Sequence, residues 1–549
     1  MVRMSGWSRP SGRRSVPGKG VVVTGGASDI AAAGADGAPP PERRQGRRRR
    51  SAARAEGAAR ESARRPDYRH LRHPFAPQSA YTEDRIEAIH ETALRVLRDL
   101  GIKVLLPEAR ALYAAGGARI EDDMVFLGAE IVEEALRTAP RSILARAGAR
   151  ARDLVLEPGT LAIQTGAGAP HATDLLRGRR PATLTDYREL TRLAQAFDVI
   201  HMMSPGVEPQ DVPVHLRHYE TMRAMLTLTD KLPFVFSRGT PQVADCFAML
   251  RLARGLSEEA FAAEPWCYTI VNTNSPRQLD VPMAQGLIDF ARAGQLSIVT
   301  PFTLMGAMGP VTVAGAMVLS HAEALAAIAL TQLAAPGAPV LYGAFPSNVD
   351  MRSGAPAFGT PEQVRANLAA GQLARRIGLP WRSAAGCAAN VSDAQAAHET
   401  QMSAWSAMLA GCTVLIHGAG WLEGGLTVSY EKLITDMEML QILAEICLPA
   451  PDDDLAWAAL AEVPPGGHFF GCAHTLERYA TAFYEPLVHD WSNFGAWTEA
   501  GALDATERAT PVWQAALDAR GLAADPATAE ALDAFVARRA QEGGAPPES

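Results

Sequence analysis

Aromatic side chains are scarce in this sequence, at 6% of 549 residues, so a local cluster of Trp, Tyr or Phe carries information. Cysteine is scarcer still. The six residues Cys246, Cys267, Cys387, Cys412, Cys447 and Cys472 are scattered, with no C-x-x-C pair. That spacing argues against a structural zinc site, an iron–sulfur cluster or a disulfide scaffold, and no metal site is expected. No run reaches the roughly 20 apolar residues that a spanning helix needs. A charged n-region followed by an apolar h-region of secretory type is also lacking. A cytoplasmic protein with buried free thiols and no membrane partner is expected.

Hydrophobic residues make up 48% and charged residues 20%, which fits a soluble enzyme with a large core. The net charge of −8 is unevenly spread: residues 1–66 hold 15 Arg/Lys against 5 Asp/Glu, or +10, so the rest carries −18. Arg43, Arg44 and Arg47–Arg50 form a basic run in Gly/Ala/Pro-rich surroundings. Such a blocked, low-complexity segment reads as a solvated, disordered tail rather than a nucleic-acid contact. Within it, Gly20-Val-Val-Val-Thr-Gly-Gly-Ala-Ser-Asp29 imitates the glycine turn of a dinucleotide fold, but Asp29 stands where the last glycine belongs. A start site assigned too far upstream would account for the segment equally well.

What is present is a repeat. Short apolar runs occur at Leu161–Gln164, Val199–Met203, Pro233–Ser237, Cys267–Asn272, Ser297–Phe302, Pro339–Gly343, Arg382–Cys387 and Thr413–His417. Helix-like segments follow each, near Asp186–Phe197, His215–Thr229, Gln242–Ala253, Leu279–Ala293, Val313–Leu333, Pro361–Ile377, Asp393–Leu409 and Ser429–Ile446. Eight βα units in this length predict a (β/α)8 TIM barrel over 159–448. A helical extension is expected over 67–158, with helices over Thr82–Leu100, Pro107–Ala115 and Ala129–Ala139. Residues 449–549 read as a mostly helical appendage.

Such barrels place chemistry at the C-terminal ends of their strands. Polar and aromatic residues recur there, among them Gln164, His201, Asn272, Asn274, Tyr342, Asp350, Asp393, Trp421 and Glu423. The connector from Tyr342 to Glu362 is long for a βα loop and carries Phe345, Asp350-Met-Arg352 and Phe358, which favours an ordered, site-building loop. Asn390 and Asp393 follow the seventh run. After the eighth comes His417-Gly-Ala-Gly-Trp421-Leu-Glu423-Gly-Gly, then Ser429-Tyr430-Glu-Lys432. Glycines there let backbone approach a ligand closely.

The ordered set Asp350-Met-Arg-x-Gly, Gly359-x-Pro-Glu, Gly378-Leu-Pro, Asp393-x-Gln, Leu409-Ala-Gly and Ser429-Tyr-Glu-Lys432 resembles the trimethylamine methyltransferase superfamily. Ile89-His90, Leu94-x-x-Leu97 and Gly471-Cys-Ala-His474-Thr-Leu extend the likeness from about Pro74 to Ala509. The resemblance implies a barrel that passes a methyl group from a methylated amine to the cob(I)alamin of a separate corrinoid protein. No cofactor is expected to be bound covalently, and no Asp-x-His-x-x-Gly signature of a cobalamin-binding module occurs here. The archaeal trimethylamine enzymes carry pyrrolysine, which this sequence lacks; relatives without it are associated with quaternary amines such as glycine betaine.

Chemistry supports that division. A quaternary ammonium leaves as a neutral amine when cobalt(I) attacks its methyl carbon, so positioning is sufficient and no general acid is obligatory. Such a cation is held by aromatic faces and diffuse negative charge. The expected contacts are Tyr342, Phe345, Phe358, Trp421 and Tyr430, with Asp350, Glu423 and Asp393 for the field. Asn390, His417 and Arg352 are candidate donors to a carboxylate, and Asp350, Asp393 and His417 are the candidate catalytic groups. The alternatives are a tertiary-amine demethylase that uses Asp393 or His417 as its acid, and a non-catalytic methylamine-binding barrel. A homo-oligomer is expected.

Overall fold

Six short parallel strands form the centre of the molecule. They are β1 (Thr160–Ile163), β2 (Tyr268–Val271), β3 (Leu296–Val299), β4 (Val340–Gly343), β5 (Trp381–Ala384) and β6 (Val414–Ile416). Their order is β2-β3-β4-β5-β6-β1, and Leu71–Arg72 adds an antiparallel edge to β1. The computed structural model describes residues 68–166, 168–519, 521 and 524–547. The basic tail and its Gly20–Asp29 turn lie outside those residues. Strands buried on both faces need near-continuous apolar sequence, which Thr160–Ile163 and Val414–Ile416 supply.

The runs expected at 199–203 and 233–237 form no strand, only single-residue parallel bridges: Gln164 to Met202, Met202 to Leu232, and Phe234 to Tyr268. The cause is local. Pro233 has no N–H to give, and the Phe234 N–H turns to the Met225 sulfur at 3.2 Å. Their remaining backbone groups bond sideways, Met203 N–H to Leu232 O at 2.9 Å and Val235 N–H to Tyr268 O at 2.9 Å.

The eight expected helices all form, as Leu184–Ala196, Val214–Leu228, Thr240–Arg254, Val281–Arg292, Val313–Ala334, Pro361–Ile377, Ala394–Leu409 and Tyr430–Ile446. Side-chain caps set several starts: Thr183, Thr312, Thr360, Asp393 and Ser429 each accept a backbone N–H of the first turn. By length and composition Val313–Ala334 resembles a membrane span, yet it is mostly buried inside the protein. Ser320, His321 and Glu323 interrupt its apolar run and all turn into the core.

The extension before the strands holds the three expected helices, Glu83–Arg95, Pro107–Ala115 and Ala129–Thr138. The first does not run on as α-helix to Leu100. Val96–Leu100 widens into a π turn, closed by Gly101 N–H to Val96 O at 2.9 Å. Besides Leu71–Arg72, this extension holds five strands not expected from the sequence: Ile102–Val104, Arg119–Glu121 and Met124–Phe126 form a sheet in which Ile102–Val104 pairs with Gln278–Leu279, and Ile143–Ala145 pairs with Leu154–Leu156. In the appendage, Ala505–Asp518 packs on Tyr430–Ile446, and Pro526–Gln541 packs on Thr240–Arg254. Ahead of these two helices, residues 455–503 expose Trp457, Phe470, Phe483 and Phe494 at 78–87%.

Buried neutral histidines make the fold acid-sensitive. Burial lowers His201 and His218 from 6.5 to about 4 each. Below pH 6.5 the unfolded chain therefore takes up protons that the folded chain refuses, and stability falls as pH drops toward 4. Urea midpoints at pH 7, 6 and 5 should decrease in that order.

Candidate active site

Strand alternation decides which groups meet at the strand ends. In β5, Trp381 and Ser383 face the helices: the indole N–H donates to Gly411 O at 2.9 Å and Ser383 reaches Asn367 of Pro361–Ile377. Arg382 therefore points to the opposite face. It is 2% exposed, and no acidic side chain pairs with it among the described residues. Burial pushes its pKa down to about 9, which leaves it charged at neutral pH. An uncompensated buried charge costs several kcal/mol. Such an arrangement marks a functional site more readily than a structural one.

Aromatic rings gather beside this guanidinium. Its carbon sits 5.1 Å from the centroid of Phe345, and its Nη2 lies 3.5 Å from His417 Nε2. The His417 ring stacks on Trp421, with centroids 4.1 Å apart and planes 14° apart. Phe358 lies 5.6 Å from both Phe345 and Trp421, and Phe302 lies 4.9 Å from Phe345. Desolvation, reinforced by Arg382, holds His417 well below its usual pKa, so the ring is neutral. Glycines permit the packing: a Cβ on Gly386 would meet the Phe358 ring at 2.1 Å, and one on Gly425 the Trp421 ring at 2.5 Å. Arg382 Nε and Nη1, His417 Nδ1 and Trp421 Nε1 are all buried without a hydrogen-bond partner among the described residues.

The family model described as trimethylamine methyltransferase (MTTB) matches residues 43–544. The chain belongs to that family. It is 32% identical over 468 residues to the glycine betaine methyltransferase of Desulfitobacterium hafniense strain Y51, covering 84% of this chain and 97% of that protein. It is 29% identical to the trimethylamine methyltransferase MttB of D. hafniense strain DSM 10664 / DCB-2, covering 78% and 88%. With MttB of Methanosarcina barkeri the figures are 28%, 77% and 87%. The crystal structure of the M. barkeri monomethylamine methyltransferase MtmB gives a TM-score of 0.45 at 9% identity, covering 79% and 92%, too slight a likeness to locate a site by. This protein is therefore a methyltransferase enzyme.

Of the residues expected at the site of this methyltransferase, Phe345, Phe358, His417 and Trp421 come together. The other seven stand elsewhere. Tyr342 faces the helices, where its hydroxyl meets His321 Nδ1 at 3.1 Å and His321 Nε2 meets His90 Nδ1 at 2.9 Å. Tyr430 heads a helix and donates to Glu189 at 2.6 Å and Asp186 at 3.1 Å, with Trp513 against its ring. Glu423 pairs with Arg179 at 2.9 Å. Asp393 is a helix cap, accepting from Ala396 N–H at 3.1 Å. Asn390 and Arg352 are exposed. Asp350, also exposed, braces a turn through the Ser353 hydroxyl at 2.7 Å.

An exposed turn brace carries little free energy. Asp350→Ala should therefore change turnover less than about twofold, with only a slight fall in the urea midpoint. A tenfold fall in turnover would restore Asp350 to the site.

Arg382, Gln164 and Tyr268 line the same interior, where the Tyr268 hydroxyl and Gln164 Nε2 both donate to Met203 O, at 2.6 and 3.4 Å. Arg382 was absent from the expected set. Its signal in the sequence was a cation inside a run that a buried parallel strand would otherwise keep apolar.

Proposed function

We propose that this methyltransferase moves a methyl group from a quaternary methylated amine of the glycine betaine type to the cob(I)alamin of a separate corrinoid protein. The observation that carries the reading is the group of Phe345, Phe358, His417 and Trp421, whose faces converge at the C-terminal ends of parallel strands. Aromatic faces attract a quaternary ammonium, which has no N–H for a directed hydrogen bond. In the reaction cobalt(I) supplies the electron pair of the new Co–C bond, and the C–N pair departs with a neutral tertiary amine. The protein's part is to hold the N–CH3 axis and to keep water away.

A tertiary-amine demethylase would need an acid at the same place. His417 is held neutral, and the Asp393 carboxylate is engaged as a helix cap. The family relation to a glycine betaine methyltransferase points the same way.

We further assign the core as a (β/α)8 barrel in which the runs at 199–203 and 233–237 complete the circle. Support comes from the three bridges between β1 and β2. A cytoplasmic location and a homo-oligomer belong to the same proposal. Trp457, Phe470, Tyr479, Phe483, Trp491 and Phe494 are 66–87% exposed within one segment. So many exposed rings in one stretch of chain are more than a monomer usually shows. A second copy of this chain suits so apolar a segment, whereas a corrinoid protein must leave after each turnover. Light scattering on the purified protein should give at least a dimer.

The activity test is methylation of cob(I)alamin followed by absorbance, with glycine betaine, proline betaine, carnitine, choline and trimethylamine as donors. Methylcobalamin should form with a betaine and not with trimethylamine. Folded protein that is silent with every quaternary amine sinks the reading.

A further inference from the structure

Four buried atoms around the aromatic cluster lack a partner among the described residues: Arg382 Nε and Nη1, His417 Nδ1 and Trp421 Nε1. Arg382 Nε and Nη1 and the indole Nε1 are donors whatever the pH. His417 joins them, because its Nε2 faces the guanidinium and the proton of a neutral ring then sits on Nδ1. Unpartnered donors surround the cluster, and no carboxylate pairs with the guanidinium among the described residues. A group with several acceptor oxygens is the ligand that such a set lacks, and a carboxylate matches the guanidinium fork in charge and shape.

We propose that Arg382, through its unpartnered Nε and Nη1 and aided by Trp421 Nε1, forms an anion subsite that takes the carboxylate of a zwitterionic donor. The inference rests on the quaternary-amine reading above and narrows it. Phe345 connects the two halves, with the guanidinium 5.1 Å from its centroid and the rings of Phe358 and Trp421 5.6 and 5.7 Å away. A molecule with ammonium and carboxylate a few bonds apart meets both halves at once. A purely cationic donor such as choline or tetramethylammonium meets the same aromatic faces but is repelled by the buried positive charge. The subsite thus makes an anionic group a condition of acceptance. Arg382 acts here as a binding and specificity residue, distant from any bond-making step.

Calorimetry on the purified enzyme, without corrinoid protein, tests the subsite separately from turnover. Wild type should bind glycine betaine at least about 100-fold more tightly than choline, which differs in lacking the carboxylate. Equal affinities would overturn the subsite even if methyl transfer is observed. Conversely, betaine selectivity in binding with no methyl transfer from any donor would sink the activity and leave the subsite standing. Arg382→Gln should raise the glycine betaine KM about 100-fold, narrow the betaine-to-choline ratio toward one, and change kcat much less. Arg382→Lys should restore part of the selectivity. A merely structural Arg382 would instead lower the melting temperature and kcat for every donor while leaving that ratio intact. Should Arg382→Gln fail to fold, the wild-type comparison still decides.

Discussion

Trp421→Ala should lower kcat/KM for the quaternary-amine donor by about 10- to 100-fold, mainly through KM. A desolvated aromatic face contributes ~2 kcal/mol to holding a cation, and the same substitution strips the stacking partner from His417 at 4.1 Å. Trp421→Phe keeps a face but loses the indole N–H, so it should recover most cation affinity and only part of the betaine preference. Trp421 is 6% exposed, and truncating such a residue also costs ~3–5 kcal/mol of stability. Trp513→Ala supplies the control. Trp513 is equally buried but packs on Tyr430, and its N–H goes to Glu431 at 3.0 Å, away from the cluster. It should lose comparable stability while keeping its KM. If both variants show the same KM, Trp421 is packing alone.

The helices were legible because each combines an amphipathic or apolar run with a cap, and Pro361–Ile377 matches its expected bounds, with Thr360 as cap and Gly378 at φ 72 beyond the end. At 199–203 and 233–237 the expected strands are reduced to single parallel bridges. Apolar composition is necessary for a buried strand but does not reveal where a Met225 sulfur will divert an N–H. The candidate site was only partly legible for a related reason. Position in a loop says that a residue lies near the rim, whereas side-chain direction depends on register. Tyr342 and Gly343 are consecutive in β4 and face opposite ways, so Tyr342 went to the helix layer. Tyr430 and Asp393 sit at helix starts, where capping and interhelix contacts claim them before a ligand can. Arg382 escaped notice because one polar residue in a strand-like run reads as noise until its missing counter-charge is seen.

Lys432→Met should destabilise the protein strongly from beside the Trp421 loop. Lys432 and Asp436 are a turn apart on Tyr430–Ile446, with side chains 1% and 6% exposed, and Lys432 Nζ reaches the carboxylate at 2.7 and 2.8 Å. Removing one member of a buried ion pair costs ~3–5 kcal/mol because the other is left uncompensated. Burial already raises Asp436 against the pull of Lys432, so loss of the cation should raise it further. The consequence reaches the substrate side, since Asp436 also accepts the Gly420 N–H at 2.8 Å, one residue before Trp421. Lys432→Met with Asp436→Leu replaces both charges by apolar volume and should regain most of the lost unfolding free energy. It cannot regain the acceptor for Gly420. The double variant should therefore be stable yet keep a raised KM for the amine, and a double variant with wild-type KM would show that the Trp421 loop holds its place without Asp436.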